Sequence, residues 1–415
     1  MVENQPATAA RNRIDLLDAL RGFALLGIIL VNMRAWAGWY SFEPADRVSV
    51  AGGAQSLWWY EFILTSLVEG KFYTIFSFLF GLGFALQLSR LQRRGLDGLA
   101  IFRRRLLVLL AIGLIHMLFL WEGDILTLYA LLGLLLPLFM SWSEPRLLAF
   151  AAFLLVLPIA GIALAHAARI EPDLGLFQFG EHLFVVLGGD ADGWRTWLLR
   201  EDLRSYLAWA LSSWPFRIGG FLESWRIPKV LAIMLLGLLA GRRLVTGRLL
   251  EDRALLRRVA VVGLAVGIPA NIGYGLVGGL VQEEFSSSLI ATALYAAGVV
   301  PLGLAYAACF ALAWPKAQRI LGLLAAPGRM ALTNYISQTI LGIVIFYGIG
   351  FGLYRSLGPW EFTGVAVAIF AVQIAWSRLW LKHFAQGPME GLWRRLTYGR
   401  AGAGLGGRRA SSGGS

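Results

Sequence analysis

The chain reads as an all-α protein, a polytopic integral membrane bundle of about ten transmembrane helices. Two observations lead there. Of 415 residues, 58% are hydrophobic and only 15% charged, with a mean hydropathy of +0.66, which is too apolar for an ordinary soluble domain. Apolar runs long enough to cross a bilayer also recur along the chain, separated by short arginine-rich links. A net charge of +12 would suggest nucleic acid in a soluble protein. Here the arginines sit mainly in the links, so they act as topology signals and no nucleic-acid partner is expected.

The expected spans are 18–38, 70–89, 104–121, 124–141, 147–166, 228–243, 256–277, 288–313, 329–350 and 361–381. The first has a signal-like outline, with Arg11 and Arg13 ahead of it and Ala35-Trp36-Ala37 after it. Asp18 within its basic region, and Arg34 and Trp36 at the would-be cleavage site, argue that it is retained. Arginines 90, 93, 94, 103, 104 and 105 cluster after the second span, and 242, 243, 248, 253, 257 and 258 after the sixth. Placing both clusters inside by the positive-inside rule puts both termini in the cytoplasm, in agreement with Arg394, Arg395 and Arg400. Four regions follow: an N-terminal membrane half (1–170), an extracytoplasmic or interfacial segment (171–227), a C-terminal membrane half (228–398) and a disordered tail (399–415). The second carries Trp194, Trp197, Trp209, Trp214 and Trp225, the enrichment expected of helices lying along an interface.

Ionisable groups inside spans are costly, so each is a candidate functional residue. Arg21 and Asn32 lie eleven helical steps apart, on one face and roughly 16 Å apart along the axis. Asp18, one turn before Arg21, can pair with it or leave it free to meet an anionic ligand. The threading gathers Asp18, Arg21, Asn334 and Glu390 at the inner side, and Asn32, Glu69, Lys71 and Tyr129 at or near the outer side. His116, deep in Ile112-Gly-Leu-Ile-His-Met-Leu-Phe-Leu-Trp121, is the strongest candidate for chemistry, since neutral imidazole can take a proton from a hydroxyl. Asp124 lies across a turn short enough to bring its carboxylate back to that ring. The bland alternatives are a histidine bonded to backbone and an aspartate capping the next helix. The single cysteine, Cys309, allows no internal disulfide, and no histidine, cysteine or carboxylate spacing makes a metal site.

The motifs Asp18-Ala-Leu-Arg-Gly-Phe-Ala-Leu-Leu-Gly-Ile-Ile-Leu-Val-Asn32 and Glu69-Gly-Lys-Phe-Tyr-Thr-Ile-Phe-Ser-Phe-Leu-Phe-Gly81 resemble the YeiB-like bacterial membrane proteins, the domain-of-unknown-function 418 family. His116 with Gly123-Asp-Ile-Leu-Thr-Leu-Tyr129, then Gly328-Arg-Met-Ala-Leu-Thr-Asn-Tyr335 and Gly387-Pro-Met-Glu-Gly-Leu-Trp-Arg394, extend the likeness over most of the chain. The resemblance groups it with transmembrane acyltransferases, such as the acyltransferase-three enzymes and heparan-alpha-glucosaminide N-acetyltransferase. Many acyltransferase-three members pair an arginine with a histidine eleven positions on. The arginine matches at Arg21, but Asn32 stands at the second position and cannot be a base.

The resemblance therefore implies a multi-pass protein of the bacterial inner (plasma) membrane that moves an acyl group from cytoplasmic acyl-CoA to an extracytoplasmic glycan or small-molecule acceptor. His116 and Asp124 are expected to be catalytic, with Asp18, Arg21, Asn32, Glu69, Lys71, Tyr129, Asn334 and Glu390 binding donor or substrate. Asn32 or Lys71 would steady the developing oxyanion. A proton-coupled solute transporter using the same polar face, or a non-catalytic envelope factor, is the alternative, and a homo-oligomer stays open.

Overall fold

The computed structural model describes residues 7–190, 197–280 and 289–399. Trp194, Arg400 and the expected tail from residue 400 onward lie outside the described residues. Among those described, every regular element is helical. Five segments are long and apolar enough to cross a membrane: Ala54–Gln92, Glu144–Ala168, Arg253–Val277, Leu289–Arg329 and Pro359–His383.

We number the helices of seven or more residues in chain order. The N-terminal half has α1 (Ala7–Trp36), α2 (Pro44–Val50), α3 (Ala54–Ile63), α4 (Lys71–Gln92), α5 (Gly98–Phe119), α6 (Leu126–Gly133) and α7 (Glu144–Ala168). Then come α8 (Leu174–Val186), α9 (Leu203–Ser212) and α10 (Trp214–Glu223). The C-terminal half has α11 (Arg226–Val245), α12 (Arg253–Leu280), α13 (Leu289–Leu321), α14 (Ala331–Phe346), α15 (Pro359–His383) and α16 (Pro388–Tyr398). Helix thus lies in each of the ten stretches expected to span.

Two of those stretches differ from simple rods. The stretch expected over 70–89 continues upstream through α3 and a π-helical turn, Leu64–Val68, with Gly70 in the left-handed region (φ 84°) at the joint. That turn frees a carbonyl, and the Lys71 ammonium donates to Thr65 O at 2.6 Å. The stretch expected over 124–141 is two pieces, α6 and a 3-10 turn over Leu136–Phe139. Pro137 has no N–H to continue the ladder, which breaks the helix there. The carbonyls released below the break are taken up by Arg242, whose guanidinium donates to Phe139 O (2.9 Å), Met140 O (2.6 Å) and Trp142 O (2.7 Å). Between residues 171 and 227, α8 has thirteen residues and α9 and α10 ten each. At 1.5 Å per residue none crosses a bilayer.

Helix α1 runs through the centre of the bundle, packed against α4, α13, α14 and α15. Leu25, Ile29, Met33 and Trp36 recur at helical spacing on its inner face and are fully buried. Trp36 meets Trp121 of the α5–α6 turn with ring centroids 4.9 Å apart. Large apolar side chains such as Phe153, Val156, Leu164, Val261 and Val372 point outward, where a membrane-facing surface puts them. Helices α4 and α11 approach most closely where Gly81 faces the Met234 carbonyl and Gly237 the Phe78 carbonyl, and neither position has room for a β-carbon. Without a hydrophobic drive between helices in lipid, such close contact is a main source of attraction. Gly237→Leu should therefore force α4 and α11 apart and lower stability by about 1–3 kcal/mol or more. Thermal unfolding in detergent checks this, and an unchanged midpoint would show that the contact contributes little.

Candidate functional site

A cavity of about 620 Å³ occupies the middle of the bundle. Its lining changes character along its length. At the end that the positive-inside rule assigns to the cytoplasm stand Arg21, Arg90, Arg94, Arg105, Arg329 and Arg394, opposed by only two carboxylates, Asp18 and Glu390. Further in come Ile28, Phe76, Phe80, Leu109 and Leu126, and the far end is closed by Ile125, Tyr129 and Tyr335.

The basic end is assembled from several elements. Arg21 on α1 pairs with Asp18 at 2.5 Å and keeps about a third of its side chain exposed (31%), so one carboxylate does not fully occupy its fork. Helix α16 is amphipathic and packs on α5, with Arg105 stacked 4.0 Å from the Trp393 ring centroid and Trp393 Nε1 donating to Arg105 O (2.8 Å). Glu390 caps a different helix: its carboxylate accepts from Leu332 N (2.7 Å), Thr333 N (3.2 Å) and the Thr333 hydroxyl (2.6 Å) at the start of α14. Carboxylates are favoured there, where helix N–H groups lack partners. Asn334 lies off the cavity and ties α14 to neighbouring elements through Pro327 O (3.1 Å) and Ser377 Oγ (3.0 Å).

Beyond Tyr335 lies a fully buried polar group. His116 Nδ1 is 3.2 Å from Asp124 Oδ1, and His116 Nε2 is 2.9 Å from the Thr339 hydroxyl. The Nδ1 approach falls short of hydrogen-bond alignment, since neither that nitrogen nor that oxygen completes a bond. Asp124 Oδ2 accepts from Thr127 N at 2.7 Å, so the carboxylate also caps α6. The Tyr335 ring sits 5.2 Å from the imidazole and separates it from the cavity. The turn itself is held from α10: Arg217 donates to Asp124 O (2.8 Å) and Gly123 O (3.1 Å).

The remaining candidates fall elsewhere. Tyr129 lines the cavity and hydrogen-bonds Ser77 (2.7 Å). Asn32, half-buried on α1, lies one turn beyond Ile28, the last α1 residue of the cavity lining, and is itself outside that lining. Glu69 approaches Arg34 at 3.8 Å, in an outer cluster where Glu61 takes both a bidentate contact from Arg34 (2.8 Å each) and the Trp39 indole N–H (2.8 Å). Lys71 is fully buried with its ammonium held by the π turn, apart from the imidazole. Sequence reasoning passed over Thr339, Tyr335 and Arg217. The first two share a face of α14 four residues apart, a pattern visible in the sequence, whereas Arg217 lies in a segment whose position only tertiary packing defines.

Among the described residues, these features define an all-helical protein with five segments long and apolar enough to cross a membrane and a cavity graded from basic to apolar. The family described as "Protein of unknown function (DUF418)" matches residues 240–400. The chain is 30% identical over 402 residues to the uncharacterized protein YxaH of Bacillus subtilis (strain 168), covering 94% of this chain and 96% of that one. It is 33% identical over 398 residues to an uncharacterized 39.9 kDa protein in the amylase 3' region of Bacillus acidopullulyticus (94% and 96% covered). Against the uncharacterized protein YeiB of Escherichia coli (strain K12) it is 29% identical over 425 residues (93% and 96% covered). The chain belongs to this YeiB-like DUF418 family. No solved structure matches it.

Replacing Arg217 removes the guanidinium donor from two carbonyls of the turn and leaves Gly123 O only a long contact from the Tyr335 hydroxyl (3.5 Å). Arg217→Ala should lower stability by about 2–3 kcal/mol, the range for hydrogen bonds from charged donors, and Arg217→Lys should recover only part of this because a lysine lacks the fork. Melting of the three proteins in one detergent checks it. Equal midpoints would show that the turn is held without the guanidinium.

Proposed function

We propose that this protein is a bacterial inner-membrane acyltransferase that takes an acyl group from cytoplasmic acyl-CoA and delivers it to a hydroxyl or amine on an extracytoplasmic acceptor such as a glycan. The reading includes about ten transmembrane helices, each near the ~20 residues a bilayer requires, with both termini in the cytoplasm. One observation carries it: the graded cavity runs from six arginines to a far end where Tyr335, which closes it with Ile125 and Tyr129, packs against the ring of the His116–Asp124 pair. A nucleotide with several phosphates suits the basic end, where guanidinium forks onto phosphate oxygens. A long neutral pantetheine arm suits the apolar shaft, and its thioester would then reach the imidazole. His116, steadied by Asp124, moves the protons that acyl transfer requires. The resemblance to transmembrane acyltransferases points the same way.

Two measurements test this. Purified protein given radiolabelled acetyl-CoA and a mixed pool of envelope glycans should label an acceptor, and His116→Ala should lose transfer by roughly 10²–10⁴-fold while inserting normally. Full activity in that variant would remove His116 from the mechanism. Arg21→Ala or Arg394→Ala should raise KM for the donor roughly tenfold with less effect on kcat, the signature of lost binding. For orientation, with Cys309 replaced by serine, a cysteine at Gln92 should react with an impermeant thiol reagent only from the cytoplasmic face. One at Ser356 should react only from the outer face. The reverse pattern would overturn the topology and, with it, the direction of transfer.

A further inference from the structure

The hydroxyl of Thr339 is held by a ring nitrogen of another helix and not by its own backbone. A threonine inside a helix commonly donates to the carbonyl four residues earlier. Thr74, Thr363 and Thr397 do so, to Gly70, Pro359 and Trp393, each at 2.7 Å. Thr339 makes no such bond to Tyr335, and its oxygen lies 2.9 Å from His116 Nε2 instead. Asp124 faces the opposite nitrogen of the same ring at 3.2 Å. With the ring proton on Nδ1, the nitrogen that faces Asp124, Nε2 is the acceptor of the threonine proton. Hydroxyl, imidazole and carboxylate stand in the order of a nucleophile, its base and the group that orients the base.

We propose that Thr339 is a catalytic nucleophile that carries the acyl group as an ester between donor and acceptor. This rests on the acyl-transfer reading above and adds a covalent intermediate to it. In the first step the Thr339 oxygen attacks the thioester carbonyl while His116 Nε2 takes the hydroxyl proton. The C–S bond breaks, and the departing sulfur receives that proton to leave as free thiol. In the second step an acceptor hydroxyl or amine gives its proton to the same nitrogen and attacks the threonyl ester. The Thr339–acyl bond breaks and the proton returns to the threonine oxygen. The acyl group moves from sulfur to oxygen to acceptor, and no oxidant or reductant is required.

Access runs through Tyr335. Thr339 has no exposed surface, whereas Tyr335, one helical turn towards the basic end and on the same face, lines the cavity. A donor arm that displaces the Tyr335 ring brings its thioester to the Thr339 oxygen. Burial of Thr339 and His116 shields the hydroxyl and the imidazole from water.

The full-length protein in detergent is incubated with acetyl-, succinyl- or palmitoyl-CoA without acceptor, quenched in acid, digested and mapped by mass spectrometry. The expected result is one acyl ester on Thr339. It should persist in Thr339→Ser, vanish in Thr339→Val, and form roughly 100-fold more slowly or worse in His116→Ala. Thr339→Val should lose transfer to acceptor, whereas Thr339→Ser should keep it. Transfer at the parental rate by Thr339→Val, or an adduct mapped to another residue, would overturn the nucleophile and leave the acyltransferase reading intact. Parental protein that transfers nothing from any donor would overturn both. The ester on the parental protein is read without any variant, so a Thr339→Val chain that fails to fold does not shield the proposal.

Discussion

The polar residues of α14 are the constraint on which the interior is organised. That one short helix presents Thr333, Asn334, Tyr335, Gln338 and Thr339 to a bundle whose outer surface is apolar. In such surroundings an unpaired polar group costs several kcal/mol, so each must find a partner on another element. Thr333 meets Glu390 of α16, Asn334 meets Ser377 of α15, Gln338 meets Gln373 of α15 (2.9 Å), and Thr339 meets His116 of α5. These bonds set the rotation of α14 and the position of the elements around it. Individually such interhelical bonds contribute little, about 0.6 kcal/mol on average. Their effect is to exclude other arrangements, since a helix rotated away would leave several of them open at once.

The same rule governs the breaks in regular backbone. Non-helical carbonyls at membrane depth are tolerated only where protein satisfies them. Here three breaks have a nearby donor: Lys71 for the π turn, Arg242 for the carbonyls around Pro137, and Arg217 with the Tyr206 hydroxyl for the turn that ends α5. Several buried cations therefore have structural duties. The arginines around the cavity differ, because six of them face two carboxylates and the surplus charge is directed into open space. That contrast separates the cations that hold the fold from those available to a ligand.

Much was legible in the sequence. Apolar run length marked the places where helix lies, because any segment that buries its backbone in lipid must be helical and long. The Trp121-Glu-Gly-Asp124 turn brought His116 and Asp124 together for a local reason: so few residues cannot carry the chain far. The breaks were less visible. Pro137 inside an apolar run was a readable signal, but the π turn before Gly70 has no residue signature of its own. Lys71 read as a group facing the outer side, whereas the turn it stabilises draws it inward.

The sequence by itself determined helicity, the approximate helix positions and the local His116–Asp124 pairing, since all three depend on composition and short-range geometry. Only the tertiary structure decided that Thr339, more than two hundred residues away, completes that group, and that Asn32 stands outside the cavity while Glu390 caps a neighbouring helix. The rotation of each helix about its axis accounts for the difference. It follows from the joint satisfaction of polar groups on several helices, which no single segment encodes.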